Sequence, residues 1–112
     1  MTVAITTNTT EQTLNTIQSF KIARMPLSQA QNEVSDLLEE AIVDIENNPL
    51  QYPVDVQAQA QGVMLRRWID SSGKYICLFR YNPTTDTAIL DIFASTRQDY
   101  LALLYLVQIS RP

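Results

Sequence analysis

A chain of 112 residues with 46% apolar and 18% charged side chains is long enough for one hydrophobic core, too short for two, and composed like a folding chain rather than a disordered one. Its net charge of −4 is uneven: the first 54 residues hold Lys21 and Arg24 against seven acids, and the remainder holds six cations against five. That balance makes the chain a poor candidate for strong phosphate-backbone binding, which rests on clustered Lys and Arg.

One domain, residues 1–112, is expected. No apolar run approaches the roughly 18–20 residues of a membrane span. The lone Cys77 cannot form an internal disulfide, and no apolar run follows a basic amino terminus as a secretion signal would require, so a cytoplasmic location is expected.

In chain order, Thr2–Thr7 is short and β-branched and reads as a first strand. Asn8 stands three residues before Glu11, the spacing of a capping box, and Leu14, Ile17 and Phe20 follow as a narrow apolar stripe, which predicts a helix over 9–23. Met25-Pro26 breaks it, and Ser28 with Gln31 offers a second capping box. From Ala30 through Val34, Leu37, Leu38, Ala41, Ile42 and Ile45 the apolar positions step by three and four. Glu33, Asp36, Glu39, Glu40, Asp44 and Glu46 take the other positions and read as a solvated face. Asn47-Asn48-Pro49 ends this helix, and the short link makes the two helices an antiparallel hairpin.

Residues 49–62 read as a loop. Val63–Ile69 reads as a strand with Arg66 and Arg67 on opposite faces, Ser71-Ser72-Gly73 as a turn, and Tyr75–Tyr81 and Thr87–Ala94 as two strands joined by the turn formers Asn82–Asp86. Turns this short require antiparallel neighbours. The expected class is therefore α+β: an N-terminal strand and an antiparallel helix hairpin packed on an antiparallel sheet, in the order β-α-α-β-β-β. The tail from Asp99 to Pro112 is apolar at nearly every position from Tyr100 to Val107, so no period separates helix from strand; length and leucine content favour a short closing helix.

Without histidine, Ser-His and Cys-His catalysis and histidine metal sites are excluded, and neither a metal nor a cofactor is expected. Cys77, within an apolar strand, reads as a small core residue. Arg80 shares a strand face with Ile76 and Leu78; if that face packs on the helices, Arg80 sits at its rim, where pairing with an aspartate is favoured over holding a phosphate. Arg66, Lys74, Arg80 and Arg97, with Tyr81 or Tyr100 for stacking, form an unspecific candidate nucleic-acid patch.

Taken in order, TVAITT, ENNPLQYP, LRRW, YICLFRYNPTTDTAIL with its Phe79-Arg80 pair, and DIFASTRQDYLALL with Arg97 to Asp99, resemble the RelE/ParE superfamily of bacterial type II toxins over nearly the whole chain. The resemblance implies a growth inhibitor held inactive by a cognate antitoxin, whose extended segment wraps the sheet and helices. RelE-like members cut mRNA on the ribosome, and ParE-like members inhibit DNA gyrase. Here Ala94 stands where many members place histidine and Thr96 where a second arginine is common, and the chain is acidic. Proton transfer and charge stabilisation both lack residues, so a ParE-like binder without chemistry is expected. Antitoxin or target contacts are then assigned to Arg66, Arg67, Arg80, Arg97, Tyr100, Leu101 and Leu104, with no membrane partner and no direct DNA binding by the chain alone. The alternatives are a RelE-like nuclease using Lys74, Arg80, Arg97 and Tyr100, and a degenerate member that only binds its antitoxin.

Overall fold

The computed structural model describes residues 1–60, 62 and 64–96. Arg97, Tyr100, Leu101, Leu104 and the expected closing helix lie outside that range.

The chain is α+β in the expected order: β1 (Val3–Ile5), α1 (Asn8–Ile22), α2 (Leu27–Asn47), a 3₁₀ turn at Pro49–Gln51, a short α3 (Val56–Ala60), then β2 (Arg66–Ile69), β3 (Tyr75–Asn82) and β4 (Thr87–Ser95). The four strands lie in the order β1-β4-β3-β2. The β2-β3-β4 meander is antiparallel, as its short turns demand. β1 joins the far side of β4 in parallel, which the intervening helix hairpin permits and which makes the sheet mixed. Among the described residues no helix is long and apolar enough to cross a membrane.

The apolar stripe of α2 is the one its spacing predicts: Ala30, Val34, Leu37, Ala41 and Ile45 are all buried. The other helix signals need correction. α1 is capped by Thr7 rather than Asn8, through a reciprocal pair in which the Thr7 hydroxyl accepts from the Thr10 amide and the Thr10 hydroxyl accepts from the Thr7 amide. Its buried residues are Thr9, Thr10, Thr13, Leu14, Ile17 and Lys21, and Phe20 is 68% exposed. At about 100° per residue, positions 10, 14, 17 and 21 share one arc; position 20 points the same way as the buried Thr9 and Thr13 but lies about two turns further along the helix. α2 starts at Leu27 behind Pro26 with no side-chain cap, so the Ser28 and Gln31 box is not used. Residues 49–62 hold the 3₁₀ turn and α3, and Val54 forms an isolated antiparallel bridge with Arg66 on β2's outer edge.

The sheet faces are assigned opposite to the condition on which Arg80 would line the helix rim. Cys77 and Phe79 of β3, Trp68 of β2, and Ala88, Leu90 and Phe93 of β4 pack with Leu14, Ile17, Leu37 and Ile45 of the hairpin. Ile76, Leu78, Ile92 and Ala94 form a second cluster with Ala58 and Leu65, on the other side. The aromatic face has the larger volume and takes the larger helical surface. A bulge organises β4: Leu78 pairs with Ile92 and Phe79 with Leu90, so Asp91 has no opposite residue. This extra residue lets Leu90 and Phe93, three apart, both face the hairpin.

Beyond Ile89, the side of β4 turned toward β1 has no strand partner, and α1 supplies the missing groups. The Thr7 and Thr10 hydroxyls donate to the Leu90 carbonyl, Thr10 also reaches the Asp91 carbonyl at 3.3 Å, and the Phe93 amide donates to Thr13 Oγ1 at 3.0 Å. A threonine row thus covers an edge that would otherwise be open to pairing.

Candidate functional site

Arg80 projects from β3 on the face away from the α1–α2 hairpin. Its Nε donates to Asp91 Oδ2 at 2.8 Å and its Nη2 to Asp91 Oδ1 at 2.9 Å, a fork-on-fork pair. The bulge favours this contact, because the extra residue in β4 turns the Asp91 carboxylate to the face that carries Arg80. Asp91 is buried and Arg80 about one-third exposed, and two of the guanidinium's five N–H donors are committed to this pair.

The β2 arginines lie on opposite faces, as alternation requires. Arg66 is opposite Phe79, and its Nη1 donates to the Tyr52 carbonyl at 2.7 Å, pinning the segment after α2. Arg67 is opposite Leu78, with Nε 4.0 Å from the buried Asp55 Oδ1 and no hydrogen bond to that nitrogen. Lys74 is exposed on the β2–β3 turn, where its amide donates to Asp70 Oδ1 and its carbonyl accepts from the Thr96 amide. Of the candidate patch, Arg66, Lys74 and Arg80 are therefore not brought together, and Arg97 lies outside the described residues. Arg67 and Arg80 share a face, Arg66 serves the other, and Lys74 is at the sheet's end.

Lys74 instead lines a cleft of about 1020 Å³ between the tip of the helix hairpin, the β2–β3 turn and the end of β4. Its inner wall is Lys21, a buried cation that the amphipathic reading missed. Lys21 Nζ donates to Glu33 Oε1 at 2.8 Å and lies 5.0 Å from the centre of the Tyr75 ring. Burial opposes its charge, but hydrogen bonds with Glu33 and Tyr75 outweigh that and raise its pKa above the ordinary lysine value. The Lys21 hydrogen bond, followed by that of Gln29, holds Glu33 below the usual carboxylate value. The signal was in the sequence: Lys21 falls four residues after Ile17, on the buried arc of α1.

The acids of α2 are also more engaged than a solvated face would be. Glu46 accepts from the Ala4 amide at 2.8 Å, Asp44 from Trp68 Nε1 at 3.0 Å, and Glu40 from the Ser71 amide at 3.0 Å. Together with Glu33 they fasten α2 to β1, β2, the β2–β3 turn and α1. Cys77 is fully buried, and burial followed by the nearby Asp91 charge pushes its thiol pKa well up, the condition of an inert core thiol. Among the described residues no group of three or more Cys, Asp or Glu is placed to hold a metal ion. No protein-family model and no curated protein matches this chain.

Proposed function

We propose that the chain is the toxin of a type II toxin–antitoxin pair, of the ParE-like kind, which inhibits growth in the cytoplasm by binding DNA gyrase and is neutralised by a cognate antitoxin. The β-α-α-β-β-β layout supports the superfamily reading, since it is the layout the resemblance implies. The choice of a binder over a nuclease rests on one observation: Nε and Nη2 of Arg80, in the aromatic-arginine pair of β3, are both held by Asp91. A guanidinium that stabilises a scissile phosphate must aim those donors at developing charge. Here that geometry is matched to an internal carboxylate.

Induced expression in a bacterial host, read for plasmid supercoiling and for cleavage of ribosome-bound messages, tests the proposal. Growth arrest with loss of negative supercoiling is expected. Cleaved messages with normal supercoiling would replace the proposal with the RelE-like nuclease, and normal growth with the degenerate antitoxin binder.

A further inference from the structure

The outer edges of a sheet offer backbone donors and acceptors to any strand that meets them, so each edge needs a cover. The outer side of β2 is covered by residues 53–55, through the Arg67 amide on the Pro53 carbonyl at 2.9 Å and the Asp55 amide on the Leu65 carbonyl at 2.7 Å. The outer side of β1 is covered differently. The Val3 amide turns to β4, where it donates to the Asp86 carbonyl at 3.1 Å, so the Ala4 amide and carbonyl turn outward. There the Ala4 amide donates to Oε2 of the half-buried Glu46 on α2, at 2.8 Å. β1 itself carries none of the usual safeguards of an edge. From Thr2 to Thr10 no side chain is charged and none is proline, and Val3 and Ile5 are 54% and 45% exposed.

We infer that the outer edge of β1 is a pairing surface for a second copy of this chain, and that the Glu46 carboxylate holds it shut. The edge is self-complementary. Two copies set antiparallel about a two-fold axis at Ala4 exchange both hydrogen bonds of an Ala4–Ala4 pair, place Val3 of each against Ile5 of the other on the exposed face, and set Thr2 against Thr6. The apolar side chains left open in one chain thus become the cross-strand pairs of two. The Ala4 amide cannot serve Glu46 and a second copy at once, and an axis at Ala4 also brings two like charges together. An edge of about five residues spans roughly 17 Å and buries far less than the roughly 800 Å² per partner of a stable interface, so the loss of one charge-assisted bond in each copy is enough to favour the monomer. The inference rests on β1 and Glu46 and does not require the toxin reading.

Analytical ultracentrifugation of the full-length chain over a range of concentrations tests the inference. Wild type is expected to stay monomeric to about 1 mM, and Glu46→Ala to dimerise at concentrations about a hundredfold lower, because two charge-assisted hydrogen bonds, one in each copy, no longer compete with pairing. Glu46→Gln, whose amide oxygen still accepts from Ala4 but carries no charge, should fall between them. In Glu46→Ala, isotope-filtered NOEs between labelled and unlabelled copies should join the Val3 and Ile5 methyl groups. Adding Ile5→Lys, on the exposed face of the strand, should return that variant to the monomer. A folded Glu46→Ala that is monomeric to about 1 mM would overturn the inference, as would wild type dimerising equally well. So would contacts between copies centred elsewhere, or self-association that survives Ile5→Lys. If Glu46→Ala does not fold, Glu46→Gln decides the matter, and self-association no tighter than that of wild type would refute the role given to Glu46.

Discussion

Thr13→Val isolates the role of α1 as a substitute for a strand. Thr13 is 3% exposed, its Oγ1 accepts from the Phe93 amide at 3.0 Å, and valine has nearly the same shape. The substitution leaves packing almost unchanged and strands one buried N–H, at a cost of about 1–3 kcal/mol. The added buried methyl returns up to about 0.8 kcal/mol, giving a net loss near 1–2 kcal/mol. For a domain of this size that is a fall of roughly 4–12 °C in Tm. Urea unfolding followed by the fluorescence of Trp68, the single and fully buried tryptophan, gives the free-energy difference directly. Thr16→Val is the matched control on the same helix, since Thr16 is exposed and its hydroxyl donates to the Gln12 carbonyl within its own helix; its effect should stay within about 0.5 kcal/mol. Equal stability of Thr13→Val and wild type, or equal losses in the two variants, would refute the view that α1 replaces a strand partner.

Two further outcomes follow from the carboxylates. Asp86, at a φ of +51° in the β3–β4 turn, accepts from the Thr2 hydroxyl at 2.6 Å and the Tyr81 hydroxyl at 2.7 Å. Those bonds, Thr2 first, lower its pKa below the ordinary 3.8, so its contribution is fully present above that value and is lost as pH falls through the depressed one. Asp86→Asn keeps the turn conformation and should lower Tm near neutrality, with the gap to wild type closing as pH drops from about 6 to 2; parallel Tm–pH curves would contradict this. Arg80→Met removes the fork that holds the buried Asp91 and should destabilise by about 1–3 kcal/mol, the range being reduced because Arg80 is partly exposed. Chemical denaturation measures that loss, and an unchanged midpoint would mean that the pair adds nothing to stability.

Patterns repeated several times along one element were legible in the sequence, and α2 is the best case: a stripe from Ala30 to Ile45 needs only the helical period. Where one local choice decides, sequence was weaker. Thr7 and Asn8 are both good caps, and the winner is the one whose helix also places Thr10 and Thr13 against β4. Alternation along β3 correctly separates Ile76, Leu78 and Arg80 from Cys77 and Phe79, but it carries no information about which set meets the helices. The bulge at Asp91 has no signature in DIFAS, yet it sets the facing of Leu90 and Phe93 and the partner of Arg80. Of the candidate site, Arg80 as an ion-paired residue was legible, whereas the cleft was not, because its walls come from segments some 50 positions apart that meet only in the fold.

The threonine contacts of α1 also bear on the order in which the chain assembles. β1 holds only three register pairs with β4, and the first of its contacts, between Thr2 and Asp86, spans 84 positions. Closing a loop of that length costs about 4 kcal/mol of chain entropy before any pairing compensates. Once Thr7 and Thr10 have engaged the Leu90 carbonyl, β1 is tethered within a few residues of its place and most of that cost has already been met. The strand that comes first in the chain is on this account expected to join the sheet last. Ile5→Ala should accordingly speed unfolding and leave refolding nearly unchanged, whereas Leu14→Ala in α1 should slow refolding; a slowed refolding limb in Ile5→Ala would reverse the order.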